Sequence, residues 1–277
     1  MACKKLNNGK ELPVIGFGTW QLTDEEKLLN ALEAAYSIGY RHFDTAPIYE
    51  NQTKIAKFIA KKDRKDLFIT SKLWNTEHND PKAALDKTLK ELDISYLDMY
   101  LIHFPVNLNG KFDLEKLWRH MESFVDEGKV KSIGVANFGM KNLEKLLSFC
   151  KIKPVVDQIE LHPYLPQKEI KEFCDKNDIV VISYSSLGST KADLPLVRED
   201  PVIKKIAEKH NTTPSKVLLS YPITLGCCVI PRSSSKDHIK DNFECFNLDK
   251  EDIEMIDGIK TRCRYVNVEE FGPHRFD

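Results

Sequence analysis

The strongest constraint on the fold is an alternation that runs through almost the whole chain: short runs rich in apolar and β-branched residues, each followed by a longer stretch with helical spacing. Eight such runs occur, at residues 14–18, 42–46, 67–74, 97–103, 130–138, 156–162, 179–186 and 227–232. Most are nearly continuous in apolar residues, the pattern of strands buried on both faces of a parallel sheet. Between them, residues 24–37 place Leu28, Leu29, Leu32, Ala35 and Tyr36 at helical spacing behind an acidic first turn, and Gly39 closes that helix. Further helices are expected over 51–61, 81–92, 114–127, 141–150 and 167–176. Two follow the seventh run, at 201–209 and 214–224, the second opened by Thr213-Pro214 as cap and first helical residue. The eighth run is followed by 237–243 and 250–259. No Gly/Ser linker or charge block divides these units, so residues 1–277 read as one domain, a single (β/α)8 TIM barrel rather than two doubly wound halves. Ahead of it, residues 4–6 and 10–12 flank Asn7-Asn8-Gly9 and read as a β-hairpin able to cover one end of the barrel. The aperiodic tail 263–277, with Phe271, Pro273 and Phe276, is expected to be an ordered C-terminal loop.

Composition narrows the function classes. With 42% hydrophobic and 30% charged residues the chain can build a sizeable core, which excludes disorder. Lys plus Arg is 41 against 42 for Asp plus Glu, a net charge of -1, so no basic field exists for nucleic acid or anionic lipid. No apolar run reaches the roughly 18 residues that span a bilayer, and the amino terminus lacks the apolar core of a secretory signal. The seven cysteines include no C-x-x-C pair, which speaks against a disulfide framework and a zinc site. A cytoplasmic protein with reduced thiols, and neither membrane nor nucleic-acid partner, is expected.

In such barrels the reactive groups come from the C-terminal ends of the strands and the loops beyond them. That rule selects Asp44, Tyr49, Lys72 and His103. Singly each has an ordinary explanation: a turn cap, a rim aromatic, a solvated charge, a core histidine. Together they say more. A lysine inside the apolar strand Ile69-Thr70-Ser71-Lys72-Leu73-Trp74 needs a counter-ion, which Asp44 on the neighbouring strand can supply. A phenol beside that ammonium has its anion stabilised, which should ease proton donation from Tyr49 and make it a general acid. His103 can hydrogen-bond a substrate carbonyl and fix its orientation. None of these is an obvious attacking nucleophile and no metal-ligand set is present, so the reductant should be a cofactor and the chemistry hydride transfer. Two alternatives remain at this point: a nucleotide-binding scaffold without turnover, and a Schiff-base lyase using Lys72.

A second site can be read near the end of the chain. Arg232-Ser233-Ser234-Ser235 leaves the eighth strand and opens a helix, so backbone donors, hydroxyls and a guanidinium converge where barrels commonly bind phosphate.

Over essentially its whole length the chain resembles the aldo-keto reductases. The segments that carry the resemblance are Gly16-Phe17-Gly18-Thr19-Trp20, the run from Gly39 to Ala46 with Tyr49, Ile69 to Trp74, Leu97 to His103, Ile133 to Phe138 and Ile230-Pro231-Arg232-Ser233. The resemblance implies NADPH-dependent reduction of an aldehyde or ketone, with NADH as a less favoured alternative, Tyr49 as the acid, Lys72 and Asp44 tuning it, and His103 positioning the carbonyl. It implies that Tyr184 stacks on the nicotinamide while Asn137 and Gln158 hold its carboxamide. Further cofactor contacts are implied for Thr19, Trp20, Asp44, Ser185, Leu187, Gly188 and Ser189, and for Arg232, Ser233, Ser234, Ser235, His238 and Asn242. The substrate would lie among Trp20, Ile48, Tyr49, Trp74, His103 and Phe104, and the protein would act as a monomer. Departures from the family pattern are Phe104 in place of Trp, Ala136 in place of Ser, Ser186 in place of Pro and His238 in place of Arg, with a segment 106–114 shorter than in vertebrate members.

Overall fold

The structure, a computed structural model, describes residues 2–189, 193–272 and 275–276. The chain opens with an antiparallel hairpin, β1 (Cys3–Lys5) and β2 (Glu11–Pro13), in which Lys4 faces Leu12. Its turn is tied by the Leu6 N–H to the Lys10 carbonyl at 2.8 Å, with Gly9 at φ 81°, a left-handed value that a glycine adopts without a Cβ penalty. The strands sit one residue to either side of the expected 4–6 and 10–12, and Leu6 turns inward and is buried.

Eight parallel strands follow: β3 (Gly16–Gly18), β4 (His42–Asp44), β5 (Phe68–Leu73), β6 (Met99–Ile102), β7 (Ile133–Ala136), β8 (Val156–Glu160), β9 (Val180–Tyr184) and β10 (Cys228–Val229). Each pairs in parallel with its neighbour in chain order. The seam between first and last closes through a parallel bridge from Ile15 to Val229 and through the Gly18 N–H bonded to the Pro231 carbonyl at 3.0 Å. Gly18 is required there, because a Cβ would stand 2.7 Å from the Ile230 carbonyl oxygen.

Between and after the strands lie α1 (Glu25–Ile38), α2 (Gln52–Ile59), α3 (Pro81–Leu92), α4 (Leu114–Asp126), α5 (Met140–Phe149), α6 (Lys168–Lys176), α7 (Pro201–Lys209), α8 (Pro214–Thr224), α9 (Lys236–Phe243) and α10 (Lys250–Asp257). Side-chain caps start many of them, among them Asp24, Asp80, Asp113, Asp200, Thr213 and Ser235, each accepting from a backbone N–H of the first turn. The architecture is the (β/α)8 barrel with an N-terminal hairpin that the strand period predicts.

The barrel interior is layered by the two-residue period of the strands. Its lower half is apolar, with Met99, Leu101, Val156, Ile182 and Cys228 packed on Leu6 and Leu12 of the hairpin. Asn7 holds that plug in place by donating to the carbonyls of Pro154 and Asp178, at the entries of β8 and β9. Higher up, polar side chains take over: Thr70 bonds His42 at 2.9 Å, and above them come Asp44 and Lys72. The C-terminal segment, with one 3-10 turn at Glu269–Phe271, crosses this upper end, where Phe271 packs against Trp74 and Phe104 and Phe276 against Phe104. Pro273, part of the basis for expecting an ordered tail, lies outside the described residues.

Candidate active site

Alternation along β4 and β5 points Asp44 and Lys72 inward on adjacent strands, and the pairing of Asp44 with Thr70 sets them side by side. The Lys72 ammonium, wholly buried, donates to Asp44 Oδ1 at 2.5 Å, to the Thr45 carbonyl at 3.1 Å and to the Tyr49 hydroxyl at 3.3 Å. Gln158 on β8 donates to the second carboxylate oxygen of Asp44 at 2.9 Å. The counter-ion demanded by a lysine in an apolar strand is therefore present, and both oxygens of that counter-ion are engaged. Burial lowers the proton affinity of Lys72, while the charge and hydrogen bond of Asp44 work to restore it.

Tyr49 ends a short 3-10 turn, Pro47–Tyr49, that lifts it out of β4 into the loop above. Its proton affinity corrects the expectation drawn from the ammonium alone. Burial first, and the Asp44 carboxylate second, hold the phenol well above its ordinary value, so the hydroxyl stays protonated at neutral pH. The adjacent ammonium counts when negative charge develops on that oxygen, and the donor is loaded until then.

His103 follows β6, and the edge of its ring meets Tyr49 and Trp74, with ring centroids 5.9 Å and 4.9 Å away. Phe104 stacks on it at 5.4 Å with an interplanar angle of 16°. Burial, with Lys72 and His78 adding to it, holds the imidazole well below its ordinary proton affinity, so it is neutral. Its Nδ1 is buried without a partner, leaving Nε2 as the nitrogen able to meet a ligand.

These groups form the floor of a cavity of about 320 Å³ at the C-terminal mouth of the barrel. Asp44, Tyr49 and His103 line it, while Lys72 lies beneath. All six residues expected to frame a substrate, Trp20, Ile48, Tyr49, Trp74, His103 and Phe104, surround the cavity. Of the residues expected to hold a cofactor, Thr19, Trp20, Asp44, Asn137, Gln158, Tyr184, Ser185, Leu187, Gly188 and Arg232 also line it.

The others stand apart from this cavity. Ser233, Ser234, Ser235 and His238 form the approach and first turn of α9, where Ser235 caps the helix by accepting from the His238 N–H. Asn242 is buried in α9, and the Ser189 carbonyl accepts from Arg198 at 3.4 Å. Asn137 lines the cavity with both ends of its amide already engaged once. Its Nδ2 donates to the His103 carbonyl at 2.9 Å and its Oδ1 accepts from the Tyr184 hydroxyl at 2.6 Å. Asn137 and Ser185 both adopt left-handed backbone, φ 62° and 51°, at the points where the chain leaves β7 and β9. Such conformations are uncommon outside glycine and concentrate at ligand sites.

Sequence reasoning missed Arg198, Val266 and Val268 of the cavity, and gave no site role to Gly18, Ser186, Ile230 and Pro231, which also line it. Arg198 belongs to the Val197–Glu199 turn between β9 and α7, and Val266 and Val268 to the C-terminal segment. Neither segment has a period to read. Gln21 was missed as well; its side-chain oxygen accepts from Arg232 at 3.0 Å across the barrel seam. Away from the cavity, the ligand atoms of His210, Asp249 and Asp252 lie within 4.8 Å of one another, but the Lys209 ammonium bonds both carboxylates and Asp249 caps α10.

The cavity lining combines two kinds of group. Arg198 and Arg232 bring positive charge, and Arg232 precedes the amino terminus of α9, which favours an anion. Around Tyr49 and His103 the lining carries indole, phenyl and aliphatic groups, with Trp74 and Phe104 against the His103 ring. This donor set fits an elongated molecule with phosphate at one end and a flat heterocycle at the other, as a nicotinamide dinucleotide has.

The Aldo/keto reductase family pattern matches residues 14–261 of the chain. The chain is 48% identical to "Aldose reductase" of Encephalitozoon cuniculi, an alignment covering 100% of both proteins. It is 39% identical to "Glycerol 2-dehydrogenase (NADP(+))" of Saccharomyces cerevisiae, covering 92% of this chain and 89% of that protein. It is 37% identical to human "Aldo-keto reductase family 1 member C2", covering 99% and 96%. With a barrel mouth that gathers Asp44, Tyr49, Lys72 and His103, and with matches over this length, the chain belongs to the aldo/keto reductase family.

Proposed function

We propose that the protein reduces aldehydes or ketones to alcohols, with NADPH as hydride donor and Tyr49 as proton donor. The observation that carries this reading is the bridge made by the Lys72 ammonium between Asp44 and the Tyr49 hydroxyl, beneath a cavity that His103 also lines. When bound, the nicotinamide supplies the hydride; Trp20, Tyr184, Gln158, Ser185, Leu187 and Gly188 would form its bed, and Arg198 and Arg232 would meet its phosphates. The role of the remaining predicted contacts, Ser233 to Ser235, His238, Asn242 and Ser189, would be with the adenosine end beyond the cavity.

The protein's own part follows from its charges. A carbonyl oxygen placed between Tyr49 and His103 meets one hydroxyl and one neutral imidazole, both able to donate without adding net charge. As that oxygen gains electron density, Tyr49 gives up its proton, and the Lys72 ammonium at 3.3 Å stabilises the phenolate left behind. Asp44 keeps the ammonium charged, and Gln158 fixes Asp44. A Schiff-base role for Lys72 has little support, since its nitrogen is wholly buried and already bonds three oxygens. A scaffold without turnover would have no use for this buried pair, which is costly to maintain.

The substrate wall of Trp20, Ile48, Trp74, Phe104, Val266 and Val268 offers little hydrogen bonding. Aromatic and medium-chain aldehydes should therefore be preferred to open-chain sugars, whose unpaired hydroxyls would each cost about 1–3 kcal/mol. We read the enzyme as a monomer, and among the described residues no helix is long and apolar enough to cross a membrane. The test is consumption of NADPH with benzaldehyde and with xylose. Turnover of benzaldehyde at the higher kcat/KM is expected; no turnover of any aldehyde would overturn the activity, and preference for xylose would overturn the substrate reading.

A further inference from the structure

Glu160, the last residue of β8, is wholly buried and yet lines no part of the cavity. Its carboxylate accepts the Tyr265 N–H at 2.6 Å on one oxygen and the Val266 N–H at 3.0 Å on the other. His162 stands 3.0 Å from the first oxygen and the Arg264 guanidinium 4.0 Å from the second. A carboxylate in the barrel wall is thus bonded to the backbone of a segment 105 residues later.

Tyr265 carries the connection further. Its hydroxyl donates to the Pro195 carbonyl at 2.7 Å and accepts from the Val197 N–H at 3.2 Å, in the segment that leads to α7. Between these groups sits Gly188, φ 74°, where a Cβ would lie 2.6 Å from Val197 and 3.1 Å from the Tyr265 ring. Both joined segments line one cavity, the C-terminal one through Val266 and Val268 and the other through Gly188 and Arg198. None of these connections was visible in the sequence, because each ties an aperiodic segment to a residue far away along the chain.

We propose that Glu160 and Tyr265 form a latch that makes the C-terminal segment and the segment around Val197 open and close as one unit. Two independent loops would each lose order alone. Loops joined through one tyrosine, anchored to the barrel by one carboxylate, share that loss, and by reciprocity loosening either must loosen the other. The inference rests on reading the cavity as the shared cofactor and substrate site: a dinucleotide lying along Gly188 and Arg198 would leave only when the latch opens, so latch strength would set its release rate. Glu160 and Tyr265 are positioning residues, since neither lines the cavity.

The test is amide hydrogen exchange on the cofactor-free protein, comparing wild type with Glu160→Gln and Tyr265→Phe. Glu160→Gln should speed exchange at Tyr265 and Val266, which lose a charged acceptor, and also at Val197, which Glu160 does not touch. Tyr265→Phe should speed exchange at Val197 about five-fold or more, the scale of one lost hydrogen bond, and also at Val266. Core amides such as Leu101 in β6 should keep their protection. Faster exchange confined to each variant's own partners would overturn the coupling, and an equal loss at Leu101 would reduce the effect to general instability and overturn it too. Tyr265→Phe keeps the question answerable if Glu160→Gln does not fold. In a second arm, both variants should release NADPH several-fold faster, followed by its fluorescence; unchanged release would overturn the gating role. Failure of the wild type to bind NADPH would count against the proposed function, while the exchange arm would still decide the latch.

Discussion

Replacing Lys72 by Met removes the ammonium that compensates Asp44 and leaves a carboxylate, 2% exposed, with the Gln158 amide as its remaining side-chain partner. Breaking a buried ion pair from one side costs about 3–5 kcal/mol, a large share of the roughly 5–15 kcal/mol that stabilises a typical domain. Adding Asp44→Asn removes the orphaned charge, and the double variant should regain at least half of the lost stability at pH 8 without regaining activity. Urea midpoints of wild type, both single variants and the double variant at pH 8 complete the cycle. A loss below about 1 kcal/mol for Lys72→Met at pH 8, on the scale of an exposed pair, would refute the reasoning, as would a double variant no more stable than the single.

Other consequences can be checked separately. Burial lowers His42 and His78 to about 4, so between pH 6.5 and 4 the unfolded chain takes up protons that the folded chain refuses; stability should fall by about 1.4 kcal/mol per pH unit for each, and a flat urea midpoint over that range would count against it. Gly18→Ala should destabilise the protein by about 1–3 kcal/mol, read from thermal unfolding, because its Cβ would press on the Ile230 carbonyl at the barrel seam. Arg232→Ala should raise the Kd for NADPH far more than that for NADH, measured by quenching of the cavity indoles Trp20 and Trp74; equal effects would move the 2'-phosphate elsewhere.

What could be read from the sequence was what repeats. Strand order, inward positions and the ends of α3, α7 and α8 follow from period and from Asp and Pro start signals, and the expected 81–92, 201–209 and 214–224 coincide with those helices. The strands are shorter than the apolar runs, because a run continues into the turn that ends the strand. Residues 130–138 contain β7 only over Ile133–Ala136, after which Asn137 turns left-handed and leaves the sheet. The four floor residues were legible because the C-terminal ends of parallel strands and the loops beyond them meet at one mouth of the barrel. Tyr49's proton affinity was not, since an ammonium can be inferred from a strand but the outweighing effects of burial and Asp44 need coordinates. Arg198, Val266 and the Glu160–Tyr265 connection were hidden for a related reason: aperiodic segments are placed by long-range backbone bonds that leave no local trace.

The central claim is that Tyr49 supplies the proton, and Tyr49→Phe removes that hydroxyl while leaving the ring, the cavity walls and the Lys72–Asp44 pair in place. In a single turnover, protein loaded with NADPH is mixed with benzaldehyde and the loss of reduced nicotinamide is followed. Hydride transfer slower by about 100-fold or more, with NADPH binding close to wild type, is the predicted result. Transfer at a near wild-type rate would contradict the account and return the proton to another donor at the mouth, His103 first.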